Sequence, residues 1–209
     1  MFLYIFVIGI TMILVFAGNY FFFPAGMSLL KTSLLTLMLP FLMVAWDGIF
    51  ATFIRRCLPE KWFTKDVKFH KVGKKECRIY EFFGIKLWKD HVLELGMFTS
   101  FSKKKVSEPD NTEYIERFIL ECNYGAVIHI WCAILGFIPI FFFPASTQIG
   151  LRFVLYAAIA NAVLNILPLM ILRYNIPRLT RLHAILEKKA ARKANLQNQT
   201  NQTNCQIDS

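Results

Sequence analysis

Three stretches of this chain run for twenty residues or more without an aspartate, glutamate, lysine or arginine: Met1–Leu30, Cys122–Leu151 and Phe153–Leu172. About 20 apolar residues in helical form cross the hydrocarbon core of a bilayer, and runs of this length exceed what a buried core helix needs. They exclude a soluble globular enzyme, a disordered protein and a disulfide-stapled secreted domain. Composition agrees: 56% of the residues are hydrophobic and 18% charged, whereas soluble domains carry about 45–50% and about 25%. The pattern predicts an all-α, polytopic membrane protein with four transmembrane helices, over Phe2–Phe23, Leu30–Phe53, Tyr124–Phe143 and Leu151–Leu172. The first lacks a basic leader and is long for a signal segment, so it reads as a retained span. Pro24-Ala25-Gly26 and Pro144-Ala145-Ser146 provide turns for two antiparallel hairpins.

The organisation that follows is a hairpin over 1–54, a cytoplasmic, partly interfacial region over 55–121, a second hairpin over 122–172, an amphipathic helix over 173–194 and a disordered polar tail over 195–209. Charge sets the direction. Arg55–Glu121 holds fifteen Lys/Arg against eleven Asp/Glu, the tail from Arg173 holds seven against two, and the two turns carry only Lys31 and Arg152 at their edges. The positive-inside rule then places the large loop and both termini in the cytoplasm and the chain, multi-pass, in the cell membrane. A formal net charge of +10 can also signal nucleic acid. Here the basic residues flank apolar spans, so membrane lipids or a phosphorylated substrate are the expected partners, with no nucleic acid. The five cysteines show no CxxC pair and no zinc-type spacing, so no metal is expected.

Within the large loop, aromatic and basic residues interleave. Ile79, Phe82, Phe83 and Leu87 fall at helical spacing beside Lys86 and Lys89, which suits helices lying in the headgroup layer and equally a small compact domain on the helix ends. Asn111-Thr112-Glu113 opens a helix that continues through Glu121 into the third span. Arg173–Arg178 is read as a helix break, with Pro177 starting the C-terminal interfacial helix. Its apolar stripe is Leu179, Leu182, Ile185 and Leu186. His183 and Glu187 form an ordinary i, i+4 surface pair on it.

Ionisable and amide groups inside spans are costly and therefore informative. Asp47 precedes Arg55 by eight residues, Asn165 precedes Arg173 by eight, and His129 follows Glu121 by eight. At a rise of about 1.5 Å per residue, each sits about 12 Å inward from a charge at the same face. Three helices thus carry a polar side chain at one depth, either as packing glue or as a site. Glu121, Gly125 and His129 share one flank of the third helix, where a carboxylate and an imidazole suit proton transfer. Two turns apart, they cannot touch directly.

Four segments together resemble one family. They are Leu58-Pro59-Glu60-Lys61-Trp62-Phe63, the run from Trp88 through His91 to Glu94, the Asn111–Trp131 helix, and Asn165 with Arg173-Tyr174-Asn175-Ile176-Pro177-Arg178-Leu179-Thr180. The chain resembles, over roughly Leu58–Leu186, the glycosyl-4,4'-diaponeurosporenoate acyltransferases of bacterial carotenoid (staphyloxanthin) synthesis. It departs from the family pattern at Ala126, Leu172 and Ile176. The resemblance implies transfer of a fatty acyl group to a hydroxyl of a glycosylated, lipid-linked acceptor such as a carotenoid glycoside. Acyl-CoA is the expected co-substrate, and no bound cofactor is implied.

A general base must take the hydroxyl proton, and His129 is the candidate; Asn165 is the candidate oxyanion donor. Glu121, Asp90 and His91 complete the candidate catalytic set. Trp88, Lys89, Arg173, Asn175, Arg178 and Asp47 form the candidate substrate-binding set, with Lys89, Arg173 and Arg178 holding the donor's phosphates. No H-x4-D motif occurs, since His91 is followed by VLELG and His129 by IWCAI. A non-catalytic membrane scaffold or lipid-binding partner, and a small membrane methyltransferase, are the alternative readings.

Overall fold

A computed structural model describes residues 2–22, 28–92, 106–142 and 153–207. The turns at Pro24–Gly26 and Pro144–Ser146, the residues Leu93, Glu94 and Phe98, and the start of the fourth expected span at Leu151 lie outside them. All regular structure among the described residues is helical. Helix α1 is Phe2–Ala17, continued by a wider turn over Gly18–Phe22, and α2 is Leu29–Cys57. Short helices α3 (Lys74–Phe82) and α4 (Ile85–Trp88) follow, then α5 (Thr112–Leu135) and α6 (Leu155–Ile207). Three helices are long and apolar enough to cross a membrane, over Leu29–Cys57, Thr112–Phe142 and Leu155–Gln197, while the apolar helix at Ile5–Phe21 is shorter.

The helix starts follow local chemistry. Ser28 Oγ accepts from the Lys31 amide, and Asn111 Oδ1 accepts from the Tyr114 amide at 3.1 Å. These side chains satisfy amides that a first turn leaves without intrahelical partners. The Asn111 cap fixes α5 where the sequence placed it, and the helix runs through Glu121 without interruption.

Helices α5 and α6 form the antiparallel spine. Ile115, Phe118, Ile119 and Cys122 of α5 pack with Leu172, Ile176, Leu179 and Leu186 of α6. This packing corrects the expected break at Arg173–Arg178. Helix α6 passes through both Pro168 and Pro177 and extends as one helix of 53 residues to Ile207. A proline inside a helix costs about 3 kcal/mol, but the apolar stripe around Pro177 is buried against α5, and that burial holds the helix together. Within the expected stripe, Leu179 and Leu186 are buried against α5 and Leu182 partly so, while Ile185 is 46% exposed. The polar segment expected to be disordered continues the same helix, because extending an existing helix needs no new nucleus.

Between α2 and α5, a connector docks on the spine. His70 Nε2–H donates to the Trp62 carbonyl at 2.9 Å, and Asn123 Nδ2 donates to the Phe63 carbonyl at 2.7 Å. Phe63 stacks on Tyr124 with ring centroids 3.8 Å apart. Gly84, at φ +67°, supplies the left-handed turn between α3 and α4. Ile85 and Val92 then pack on Ile171 of α6. The stripe of Ile79, Phe82, Phe83 and Leu87 points the other way, with Phe82 86% exposed and Leu87 82%.

Candidate active site

The antiparallel register of α5 and α6 decides which side chains meet. Gly125 lies against Leu172, His129 against Asn165, and Gly136 against Asn161. A Cβ on Gly125 would fall 2.8 Å from Leu172 Cδ1, and one on Gly136 would fall 2.8 Å from Asn161 Nδ2 and 2.9 Å from the Cys132 carbonyl. Both glycines let the helices approach closely enough for short polar side chains to touch. Helix α2 closes the third side, where Trp46 Nε1 donates to the Leu135 carbonyl at 3.1 Å.

Asp47, His129 and Asn165, expected at one depth, form one hydrogen-bonded chain. Asn165 Nδ2 donates to Asp47 Oδ2 at 2.8 Å, and Asn165 Oδ1 lies 2.8 Å from His129 Nδ1. Asn161, one turn earlier on α6, donates from Nδ2 to Asp47 Oδ1 at 3.1 Å. Asn165 Nδ2 also lies 3.0 Å from the Asn161 carbonyl and 3.2 Å from its Oδ1. Each carboxylate oxygen thus receives an amide N–H, which offsets the cost of a carboxylate inside the membrane.

This network fixes protons as well as positions. A flipped Asn165 would set its oxygen against the Asp47 carboxylate, so its N–H group faces Asp47 and its oxygen faces His129. The facing His129 nitrogen, Nδ1, must then donate, and in the neutral ring Nε2 carries the lone pair. A basic Nε2, an oriented ring and a carboxylate behind the orienting group are the parts of a general-base relay. The two N–H bonds of Asn165 are directed at Asp47 and Asn161, and its oxygen at His129, so the amide bridges carboxylate and imidazole.

The other candidates lie elsewhere. Glu121 is held by Arg55 at 2.8 Å and by Arg117 at 3.1 Å, beside the basic last turn of α2. Arg173 grips Glu76 with Nε on one oxygen and Nη2 on the other, and donates from Nη1 to the Phe69 carbonyl. Burial raises the pKa of the Glu76 carboxyl, but hydrogen bonds from Arg173 and Tyr80 outweigh it and hold Glu76 below the usual carboxylate range. Tyr174 donates to Glu81 at 3.0 Å.

Asn175 is half-buried and Arg178 exposed on the same helix. Trp88 donates to the Phe83 carbonyl at 3.0 Å and packs, with Ile85, beside Leu167 and Met170 of α6. Lys89, half-exposed, and Asp90 and His91, both exposed, follow in the next turn. On either side of them, Trp88 and Val92 pack on α6 beside Leu167, Met170 and Ile171.

Sequence reasoning missed Asn161, although two asparagines at i, i+4 in a charge-free span mark one polar face. It also placed His183 on an exposed surface. That residue is 3% exposed, and Lys65 Nζ lies 3.5 Å from its Nδ1 while also pairing with Glu116 and Glu187. Among the described residues no group of three or more His, Cys, Asp and Glu side chains is placed to hold a metal. The three departures from the family pattern, Ala126, Leu172 and Ile176, are all buried.

The sequence profile described as glycosyl-4,4'-diaponeurosporenoate acyltransferase matches residues 59–185. The chain is similar to the glycosyl-4,4'-diaponeurosporenoate acyltransferase of Staphylococcus aureus strain Newman, at 32% identity over 143 residues, covering 65% of this chain and 80% of that protein. Its counterpart in strain N315 is 31% identical over the same coverage. No solved structure matches the chain. His129, Asn161, Asn165, Glu76 and Arg173 fall inside the matched region, and Asp47 precedes it.

Proposed function

Because the chain belongs to the glycosyl-4,4'-diaponeurosporenoate acyltransferase family, we propose that it transfers a fatty acyl group from a coenzyme A thioester to a sugar hydroxyl of a glycosylated carotenoid-type lipid. The observation that carries this reading at the level of atoms is the Asp47–Asn165–His129 chain inside the bundle. His129 Nε2 takes the hydroxyl proton as the sugar oxygen attacks the thioester carbon. The tetrahedral intermediate collapses with loss of the thiolate, which takes the proton back and leaves as the free thiol. Asn165 holds the imidazole and, through Asp47, stabilises the positive charge it acquires. Asp47 therefore works behind the relay, without contact with substrate.

The protein sits in the cell membrane as four spans, with α1 and α2 as the two arms of the first hairpin. The C-terminal ends of α2 and α6, the start of α5 and the 59–91 connector face the cytoplasm, where acyl-CoA arrives. The outward stripe of Ile79, Phe82, Phe83 and Leu87 lies in the headgroup layer beside α6. Arg173 is committed to Glu76, so Lys89 and Arg178 remain to meet the donor's phosphates.

The test uses membranes containing the protein, supplied with acyl-CoA and a carotenoid glycoside, with acylated product read by mass. His129→Ala lowers the rate by about 10²–10⁴-fold, the usual worth of a positioned base. Full activity in a folded His129→Ala protein overturns the assignment.

A further inference from the structure

The connector carries a two-faced unit that the relay does not use. The inner face of α4 packs on the last turns of a span: Ile85 and Val92 pack with Ile171, and Trp88 lies beside Leu167 and Met170. These α6 residues belong to the charge-free run Phe153–Leu172, so α4 sits at the edge of the hydrocarbon. Helix α3 lies at the level just beyond. Its Glu76 is gripped by Arg173, the first charged residue after that run, and its Glu81 accepts from Tyr174. Packing thus fixes the depth of both helices against a span.

What the unit turns outward changes along its length. At about 100° per residue, Lys74, Lys75, Arg78, Ile79 and Phe82 share an arc of about 140° on α3, opposite Glu76 and Tyr80. All five are exposed. The cations gather toward the start of α3, and the apolar pair lies toward its end, where exposed Leu87 continues the apolar side on α4. Lys68 and Lys71, exposed too, add charge just before α3. None of these five cations forms an ion pair among the described residues. The acids nearby are engaged or peripheral: Glu76 with Arg173, Glu81 with Lys86, and Asp66 and Asp90 at the two ends of the segment.

We propose that this outer face is a binding surface for anionic phospholipid. Ile79, Phe82 and Leu87 enter the boundary of the acyl chains, and Lys74, Lys75 and Arg78, with Lys68 and Lys71 beside them, meet negatively charged headgroups. Apolar insertion alone works on any bilayer. Unpaired cations held at headgroup depth add a preference for negative charge. One soluble phosphate needs donors converging on a point, whereas these cations follow one another along an outer face. The proposal rests on the membrane placement above and is independent of the acyl-transfer step.

The experiment places the full-length protein in nanodiscs of phosphatidylcholine alone, or of phosphatidylcholine and phosphatidylglycerol in equal parts, and follows amide hydrogen exchange by segment. In the anionic discs exchange over residues 74–88 slows by about tenfold or more, since three cations at about fivefold each allow up to about a hundredfold. The slowing fades in about 1 M salt, where the screening length falls to about 3 Å. The variant Lys74→Gln/Lys75→Gln/Arg78→Gln, which leaves the Arg173–Glu76 clamp in place, loses most of the difference while matching native exchange in neutral discs. Equal native exchange in the two discs overturns the proposal and leaves apolar anchoring alone. So does a difference that survives both the salt and the triple variant. Equal slowing in neutral discs on addition of inorganic phosphate or acyl-CoA overturns it in favour of a soluble phosphate. Spans α2, α5 and α6 that exchange freely in both discs overturn the membrane placement and the surface with it.

Discussion

Replacing Asn165 with leucine, close to it in size but without polar atoms, separates two roles that one asparagine can play. The native amide makes a 2.8 Å bond to Asp47 and faces His129 Nδ1 at 2.8 Å. Its loss leaves Asp47 with Asn161 as its remaining amide donor in this network and removes the acceptor that orients the imidazole. A hydrogen bond to a charged group contributes about 1.5–3 kcal/mol, so Asn165→Leu destabilises the bundle by about 3 kcal/mol. The effect on rate is larger. A misoriented base forfeits most of its worth, so kcat falls by about 10²–10⁴-fold, or about 2.7–5.5 kcal/mol. KM changes little, because the amide acts through His129.

The decisive measurement is a double-mutant cycle of Asn165→Leu and His129→Ala, with thiol release and acylated product followed in lipid nanodiscs. If Asn165 works only by orienting His129, the double variant is no slower than His129→Ala within about twofold. An asparagine that donates to the oxyanion acts independently of the base, and its removal costs a further 10²–10³-fold, on the order of a single oxyanion-hole donor. Additivity of that size refutes the relay.

Gly136→Ala brings a Cβ against a backbone carbonyl and against Asn161; it lowers stability by about 1–3 kcal/mol and disturbs the cluster, as thermal unfolding in detergent and residual acyl transfer show. Gly125→Ala meets only the flexible tip of Leu172 and costs less than Gly136→Ala in the same melt. Burial lowers the pKa of His70 against the raising effect of the Trp62 carbonyl, and Arg173 adds to the lowering. Its folded pKa lies below the ordinary imidazole value of 6.5, so the stability contributed by neutral His70 is present above about pH 6.5 and is lost as pH falls toward the folded pKa. Hydrogen exchange of residues 59–73 accelerates over that window, and His70→Gln, which keeps an N–H for the Trp62 carbonyl, abolishes the change.

Glu76 titrates lower still. Its folded pKa lies below the ordinary carboxylate value of 4.5, so the α3–α6 clamp persists at mildly acidic pH and loosens only as pH falls through that lower value. Glu76→Gln removes this acid transition in the exchange of residues 74–82.

Charge-free runs fixed the helical, membrane-spanning class, because the cost of placing charges in hydrocarbon is paid residue by residue and needs no knowledge of neighbours. For the same reason Asp47, His129 and Asn165 stood out, and their common depth followed from the helical rise alone. The Asn111 cap was equally local. Long-range packing decided the rest. Pro177 reads as a break in isolation, yet α6 runs through it because Ile176, Leu179 and Leu186 are buried on α5. Glu76 pairs with Arg173, since folding brings α3 to α6 across about a hundred residues of chain. Asn161 enters the site through the close approach at Gly136, and the Asn165 amide is turned by a carboxylate on another helix. Depth along one helix is a local property, but the direction in which a side chain points, and the partner it meets, depend on how three helices are rotated against one another.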